Sequence, residues 1–375
     1  MRASNRPAGI PKTMRAVVYR GPNDLRIEQL PVPRIGPNEL LVRVGVCGVC
    51  PTDIKKVVHG TVAPPRIFGH ETAGVIVQVG SRLRGFKVGE RVALHHHVPC
   101  MRCHMCRHGA FAQCPTYKRT GVTAGFEPAG GGYAEYVRVM SIALPGVVRI
   151  PKRNSLLEGA MLEPVNTVLK AVKRLRLLKG DRVLVVGQGP IGLMFTRLLA
   201  LSEVEVGASD LIPDRLVRAR SFGATRVWLG DDPALAEKIL QWTRGRGADA
   251  VVLTAPSERV ACEAVGWVRG AGQVMVFGNT KRGALAEVDL ASVCVDEKDL
   301  IGSYSSDILI QDEVAQLVFS RKLDVRSLVT HQYPLTQTAS AITQASQPRP
   351  GTLKVVVNHQ IEAPIAGFDE NNPKK

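Results

Sequence analysis

From residue 163 onward, apolar runs of strand length alternate with helical patterns, and this alternation constrains the fold more than any other feature. Residues 182–186 precede a helical pattern over 190–202, 204–209 precede 213–222, 225–229 precede 234–243, and 250–253 precede 258–268. Runs at 273–277 and 300–304 complete the series. Strands that read as continuous apolar runs are buried on both faces, so the pattern predicts an α/β unit with a doubly wound parallel sheet. Residues 14–19, 39–46, 72–79, 91–94 and 132–139 read instead as short strands punctuated by glycine and proline, which predicts a mostly β unit. A helix over 313–320 and a strand over 352–357 follow the alternating region.

The first strand of the alternating series runs into Gly187, Gln188, Gly189, Pro190, Ile191 and Gly192, and an apolar helix follows. A lone G-x-G-x-x-G is a weak signal, but between a strand and a helix it is the pattern of a dinucleotide site. Gly187 permits the tight turn, Gly189 leaves room for a pyrophosphate, and Gly192 allows close packing of helix on sheet. Asp210 stands about 20 residues on, at the end of the second strand, where a carboxylate bonds the ribose hydroxyls and repels a 2′-phosphate. The expected cofactor is therefore NAD rather than NADP. Arg215 lies near enough in sequence to meet a phosphate, and the ordinary reading of Asp210 is a cap for the helix that opens at Pro213, with the cofactor role favoured.

Cys100, Cys103, Cys106 and Cys114 form a C-x2-C-x2-C-x7-C cluster after the run at 91–94. Four thiolates so close in sequence can wrap one Zn2+ tetrahedrally and leave no open position, so the expected site is structural. Such thiolates need a reducing compartment, which points to the cytoplasm.

A second constellation is more dispersed. Cys50 and Thr52 follow the strand at 39–46, His70 and Glu71 open the strand at 72–79, and Glu163 opens the cofactor half. Cysteine, histidine and carboxylate are the ligands of a zinc that keeps one position open for substrate. Thr52 is placed to accept a substrate hydroxyl proton. Each residue also has an ordinary reading: Cys50 as a buried apolar group, His70 and Glu71 as an ion pair, Glu163 as a helix-start carboxylate. Their occurrence together with a closed zinc loop and a dinucleotide motif favours the catalytic reading.

Eight cysteines in 375 residues do not make a disulfide scaffold, and no apolar run approaches a membrane span. The first 13 residues are basic, lack the apolar core of a secretory signal, and read as a tail. The net charge of +16 raises nucleic-acid binding, yet the cations are scattered and only 5% of residues are aromatic, so a stacking platform is not expected.

With these motifs and the Gly132–Tyr133–Ala134–Glu135–Tyr136 segment, the chain resembles the zinc-dependent medium-chain dehydrogenases of the alcohol and polyol type, from about Met14 to Asn358. The resemblance implies a GroES-like catalytic domain over 1–163, a Rossmann domain over 164–305, and a return to the catalytic domain over 306–375. An active site in the cleft between domains would follow. It further implies two zinc ions per chain. Cys50 and His70 match the first two catalytic ligands, Glu163 the third, and Glu71 a carboxylate that binds the metal or exchanges with water in some members. A Glu–Pro pair at 163–164 is similar to sorbitol, threonine and glucose dehydrogenases. Cys47 matches no ligand position. Lys55 stands where a relay histidine is usual, which makes it a candidate for proton relay or for the cofactor ribose. The sorbitol enzymes carry an arginine near the position of Ser305, and its absence weakens sorbitol as the substrate. The triplet His95, His96 and His97 is unusual; one member is a candidate pocket residue, although core or surface placement is the favoured reading. The expected reaction is oxidation of a secondary alcohol, a polyol, cyclitol or sugar alcohol, to a ketone. L-Threonine or an aldose are alternative substrates, and a non-catalytic zinc-stabilised dinucleotide-binding protein is the alternative of another kind. Relatives of this type are dimers or tetramers, so a homo-oligomer is expected.

Overall fold

The computed structural model describes residues 9–95, 98–120, 130–255, 257–278 and 283–366. The tail reading over residues 1–8, and His96 and His97, lie outside the described residues. Thr13, assigned to that tail from sequence, instead opens the first strand. The strands are β1 (Thr13–Gly21), β2 (Asp24–Pro31), β3 (Leu40–Gly48), β4 (Glu71–Val79), β5 (Arg91–Leu94), β6 (Tyr136–Val139), β7 (Val147–Arg149), β8 (Arg182–Val186), β9 (Glu205–Asp210), β10 (Arg226–Leu229), β11 (Ala248–Leu253), β12 (Val268–Val276), β13 (Asp299–Gly302), β14 (Val329–Tyr333), β15 (Lys354–Asn358) and β16 (Ile365–Ala366).

The chain divides into two compact units. One comprises Met1–Glu163, Asp307–Pro348 and Thr352–Lys375, and the other Pro164–Ser306 with Arg349–Gly351.

The first unit is built on an eight-stranded sheet ordered β16-β14-β15-β3-β4-β5-β7, with β6 also paired to β3, and on the β1-β2 hairpin. β3 is its centre. Eight of its nine residues are buried, and it pairs antiparallel with β4, β6 and β15. Those pairings set β4 and β15 on either side of the end of β3, with Gly48 opposite Glu71 on one side and Val356 on the other. The functional side chains of this unit are gathered by that register. The strand expected over 132–139 is shorter, because Gly132, Tyr133 and Glu135 donate their backbone N–H groups to Gly69, Phe68 and Arg15. β2, β7 and β14 escape the sequence pattern because their residues are mostly part-exposed or because the run is three residues long. The helices Pro51–His59 and Thr338–Ser346 escape it because small and polar residues dominate them.

The second unit is a six-stranded parallel sheet, ordered β10-β9-β8-β11-β12-β13. β8 and β11 lie at its centre, and every residue of β11 is buried. Strand order reverses between β8 and β11. In open parallel sheets, ligands bind beyond the carboxyl ends of the strands at such a reversal. The turn after β8 and the helix Pro190–Leu201 occupy that place.

Candidate active site

The turn after β8 is built as its glycines require. Gly187 has φ +89°, and a Cβ there would stand 2.6 Å from Thr254 Oγ1. A Cβ on Gly192 would stand 1.8 Å from the Gly187 carbonyl oxygen, so only glycine lets the helix start so close to the strand. Gly189 caps the helix and Pro190 is its first residue, where a missing N–H costs nothing. Within the turn, Gln188 is fully buried and accepts from Thr196 Oγ1 at 2.9 Å. Asp210 is buried at the end of β9, and its two carboxylate oxygens accept from the backbone N–H groups of Gln188 at 2.5 Å and Ile212 at 2.8 Å. Its carboxylate therefore braces the glycine turn and the turn that leads into the following helix, without capping that helix. Each oxygen still has a second lone pair for a ribose hydroxyl. Arg215 stands beside it, 3.8 Å from Asp210 Oδ2.

In the first unit, Cys100, Cys103, Cys106 and Cys114 place their sulfurs within 4.8 Å of one another. The Cys103 and Cys106 sulfurs are 3.5 Å apart. Four sulfurs at ~2.3 Å from one ion lie about 3.8 Å from each other, so this packing fits a tetrahedral zinc. Backbone N–H groups of Arg102 and Cys103 pull the Cys100 thiol down to about 6, toward thiolate. Burial and the neighbouring sulfurs push Cys106 up to about 12. Such crowding of negative charge favours a cation at the centre. Phe111 and Tyr117 pack against the cluster, which has no side chain of another kind within ligand distance among the described residues.

The second cluster is deeper and mixed. Cys50 caps the helix Pro51–His59, His70 directly precedes β4, and Glu71 is its first residue. Their donor atoms lie within 4.8 Å of one another, so the structure brings these three together. Glu163, in the first turn of the helix Leu162–Val172, is buried close by. Burial pushes its carboxyl up to about 7 against the pull of His70, while Glu71 reinforces the rise. It does not join the three donors within 4.8 Å. Thr52 and Lys55 sit half-buried on this first helix, one turn apart on one face, and burial lowers the Lys55 ammonium from its ordinary value. His95, after β5, is buried.

Sequence reasoning missed four supports of this cluster. Lys354 opens β15 and is almost fully buried. Its ammonium donates to Glu71 Oε1 at 2.6 Å and to the Val49 carbonyl at 2.9 Å, and lies 2.5 Å from Glu71 Oε2. Gly48 makes room for that pair, since a Cβ there would fall 1.7 Å from Glu71 Oε2. Asp53 is fully buried with Oδ1 3.3 Å from His70 Nδ1. Burial pushes its carboxyl up, but the charge of His70 beside it outweighs this and holds it below its ordinary value. Tyr133 closes the far side of Asp53. A single charged residue heading an otherwise apolar strand, as in Leu353–Lys354–Val355–Val356–Val357, was the one sequence signal that could have revealed Lys354.

Cysteine, histidine and carboxylate around one point, with the Asp53 carboxylate behind the imidazole, match the donor set and outer carboxylate of a catalytic zinc site. No helix among the described residues is long and apolar enough to cross a membrane.

Residues 36–152 match the alcohol dehydrogenase GroES-like domain family, and residues 190–320 match the zinc-binding dehydrogenase family. Sorbitol dehydrogenase of Bacillus subtilis (strain 168) is 31% identical over 354 residues, covering 93% of this chain and 98% of that protein. D-xylulose reductase of Saccharomyces cerevisiae is 27% identical over 365 residues, covering 92% and 98%. Among solved structures, an alcohol dehydrogenase of Escherichia coli CFT073 in complex with NADH matches with a TM-score of 0.83 at 25% identity, covering 93% of this chain and 100% of the other.

Proposed function

We propose that this chain, which belongs to the zinc-dependent medium-chain alcohol and polyol dehydrogenases, oxidises a secondary alcohol of a polyol, cyclitol or sugar alcohol to a ketone, with hydride transfer to NAD. The observation that carries this reading is the convergence of Cys50, His70 and Glu71, with Glu163 beside them, in a chain that also carries the glycine turn after β8. The naming of its relatives for sorbitol and xylulose supports the polyol class. Asp210 at the end of β9 supports NAD.

Zinc bound at this centre supplies Lewis acidity toward the substrate oxygen, and NAD accepts the hydride. The chain's own residues do the rest. Cys50 and His70 hold the metal. Lys354 engages both oxygens of Glu71 and so competes with a cation for that carboxylate, which leaves Glu163 as the third ligand and Glu71 as the exchangeable one. Asp53 Oδ1 lies 3.3 Å from His70 Nδ1, an ion-pair contact that favours a ring with its Nε2 toward the centre. Thr52 accepts the substrate hydroxyl proton, and Lys55, one turn along, passes it outward. The Cys100–Cys114 loop holds a second zinc that shapes the lobe. We place the enzyme in the cytoplasm as a dimer or tetramer acting on a small polar alcohol, without nucleic acid or membrane.

The test is a panel of polyols, cyclitols, L-threonine and aldoses with NAD and with NADP, followed by the absorbance of the reduced cofactor, together with metal content. Two zinc ions per chain and turnover of a polyol with NAD are expected. One zinc ion and no cofactor binding would sink the enzyme reading. Turnover confined to threonine or an aldose would move the substrate class.

A further inference from the structure

We propose that Tyr133 is a positioning residue of the Cys50–His70 centre, its hydroxyl holding Asp53 so that Asp53 holds the His70 ring; this rests on the catalytic-zinc reading above. Tyr133 is completely buried. Its ring packs in the apolar core with Tyr19 and Phe68, a task phenylalanine would perform equally well. The hydroxyl is what needs explaining, because a buried phenol oxygen requires a polar partner. It lies 3.2 Å from Asp53 Oδ2 and 3.2 Å from the Gly48 carbonyl, so one proton is shared between two acceptors.

Both acceptors belong to the centre. Gly48 faces Glu71 across the β3-β4 ladder, and Asp53 reaches His70 with its other oxygen at 3.3 Å. Asp53 is thus a fully buried carboxylate between two groups, one on each oxygen. Removing the Tyr133 hydroxyl takes away the hydrogen bond on Oδ2 and leaves the buried carboxylate with only its ion-pair contact to His70 to set its orientation.

Tyr133 is itself fixed by the segment that carries His70. Its backbone N–H donates to the Phe68 carbonyl at 3.0 Å, and its carbonyl accepts from Val17 at 2.8 Å. A Cβ on Gly69 would stand 2.9 Å from Tyr133 Cδ1, so the ring lies against the chain one residue before the imidazole. The Tyr133–Asp53–His70 line is therefore anchored at both ends, and the hydroxyl is the only link in it that a Tyr133→Phe change removes.

The experiment challenges the zinc-loaded full chain with increasing chelator while a metallochromic indicator counts the released ions. Outer partners of metal-ligating histidines are worth ~10–100-fold in metal affinity. Tyr133→Phe is expected to release the first zinc at roughly 10-fold lower chelator, with the second unchanged. Asp53→Asn is expected to do at least as much. The double variant, Tyr133→Phe with Asp53→Asn, is expected to release zinc no more readily than Asp53→Asn alone, because Tyr133 acts through Asp53. Co2+ in place of the first zinc should show a shifted visible band in Tyr133→Phe, which loss of core packing elsewhere would not produce. Wild-type retention by Tyr133→Phe, additive losses in the double variant, or joint loss of both ions would each overturn the proposal. A wild-type chain with one zinc and no dehydrogenase activity would overturn the catalytic reading and this proposal with it. Two zinc ions, alcohol turnover and an unaltered Tyr133→Phe would overturn the proposal alone.

Discussion

The first unit holds two clusters of side chains that could each hold a metal ion, made on opposite plans. The cysteine cluster lies within residues 100–114, is shaped by local turns and backbone N–H groups, and uses one ligand type four times. The Cys50 cluster draws on residues near 50, 70, 133, 163 and 354, mixes sulfur, nitrogen and oxygen, and is braced by charged side chains that are themselves buried. A site that only has to hold a shape can be satisfied by its own loop. A site that keeps one position open needs its charges set from outside, so its supports come from distant strands.

The sharpest way to break this comparison is to remove one sulfur from each cluster. Cys50→Ser should lower kcat/KM by at least ~10³-fold, since the Lewis acid contributes several kcal/mol to the barrier. The circular dichroism should be unchanged and one zinc ion retained. Cys103→Ser should instead release the other zinc and lower the melting temperature by on the order of 10 °C, a few kcal/mol in a domain of this size. Full activity in Cys50→Ser would end the distinction between the clusters.

Lys354 sharpens it further. Lys354→Met should destabilise the chain by about 3–5 kcal/mol, because it strands the buried Glu71 carboxylate. Adding Glu71→Gln should recover much of that loss, since an amide carries no uncompensated charge. Urea unfolding of the two variants measures both effects, and equal stability of Lys354→Met and wild type would show that Glu71 finds another partner. No single substitution in the cysteine loop has such a second-site remedy, because its ligands balance only through the metal.

The same contrast explains what was legible in the sequence. The cysteine loop and the glycine turn were readable because spacing alone fixes them, and the structure adds the packing of Phe111 and Tyr117 and the bracing by Gln188 and Asp210. The parallel sheet was readable because its strands are buried on both faces and so leave an unbroken apolar pattern. Cys50, His70, Glu71 and Glu163 were readable as residue types. The roles of the two glutamates came only from the resemblance, and the contact the structure adds, Lys354 on the Glu71 carboxylate, joins residues 283 apart in the sequence. Gly48 was silent for a related reason. Its need for no side chain comes from the Glu71 carboxylate across the ladder, and nothing in Val46–Cys47–Gly48–Val49 announces it. Asp53 was visible in its motif, but its duty toward His70 required the helix Pro51–His59 to be set against the start of β4.

His359 tests the mixed cluster at its outer edge, with the smallest expected effect. It follows β15, and its Nε2 lies 3.0 Å from the carbonyl of Gly132, the residue before Tyr133. For that contact to be a hydrogen bond, the ring must carry its proton on Nε2. Its Nδ1 is buried with no partner among the described residues, so a second proton there would have nowhere to donate. Burial accordingly lowers the ring to about 4 from its ordinary 6.5. Between those two values the unfolded chain binds a proton that the folded chain refuses. Stability should therefore be fully present above about pH 6.5 and fall as the pH drops toward 4, by on the order of 2 kcal/mol once partial exposure of the ring is allowed for. His359→Gln keeps an N–H to offer Gly132 and removes the titration, so the difference from wild type in urea unfolding should narrow or reverse as the pH falls from 7 to 5. The cysteine loop supplies no such group. Chelator release of its zinc should follow the same pH course in His359→Gln as in wild type, whereas release from the Cys50 centre, which shares Tyr133 with this wall, should become less acid-sensitive. An identical pH course for both ions in both proteins would show that the wall behind Gly132 is independent of the centre.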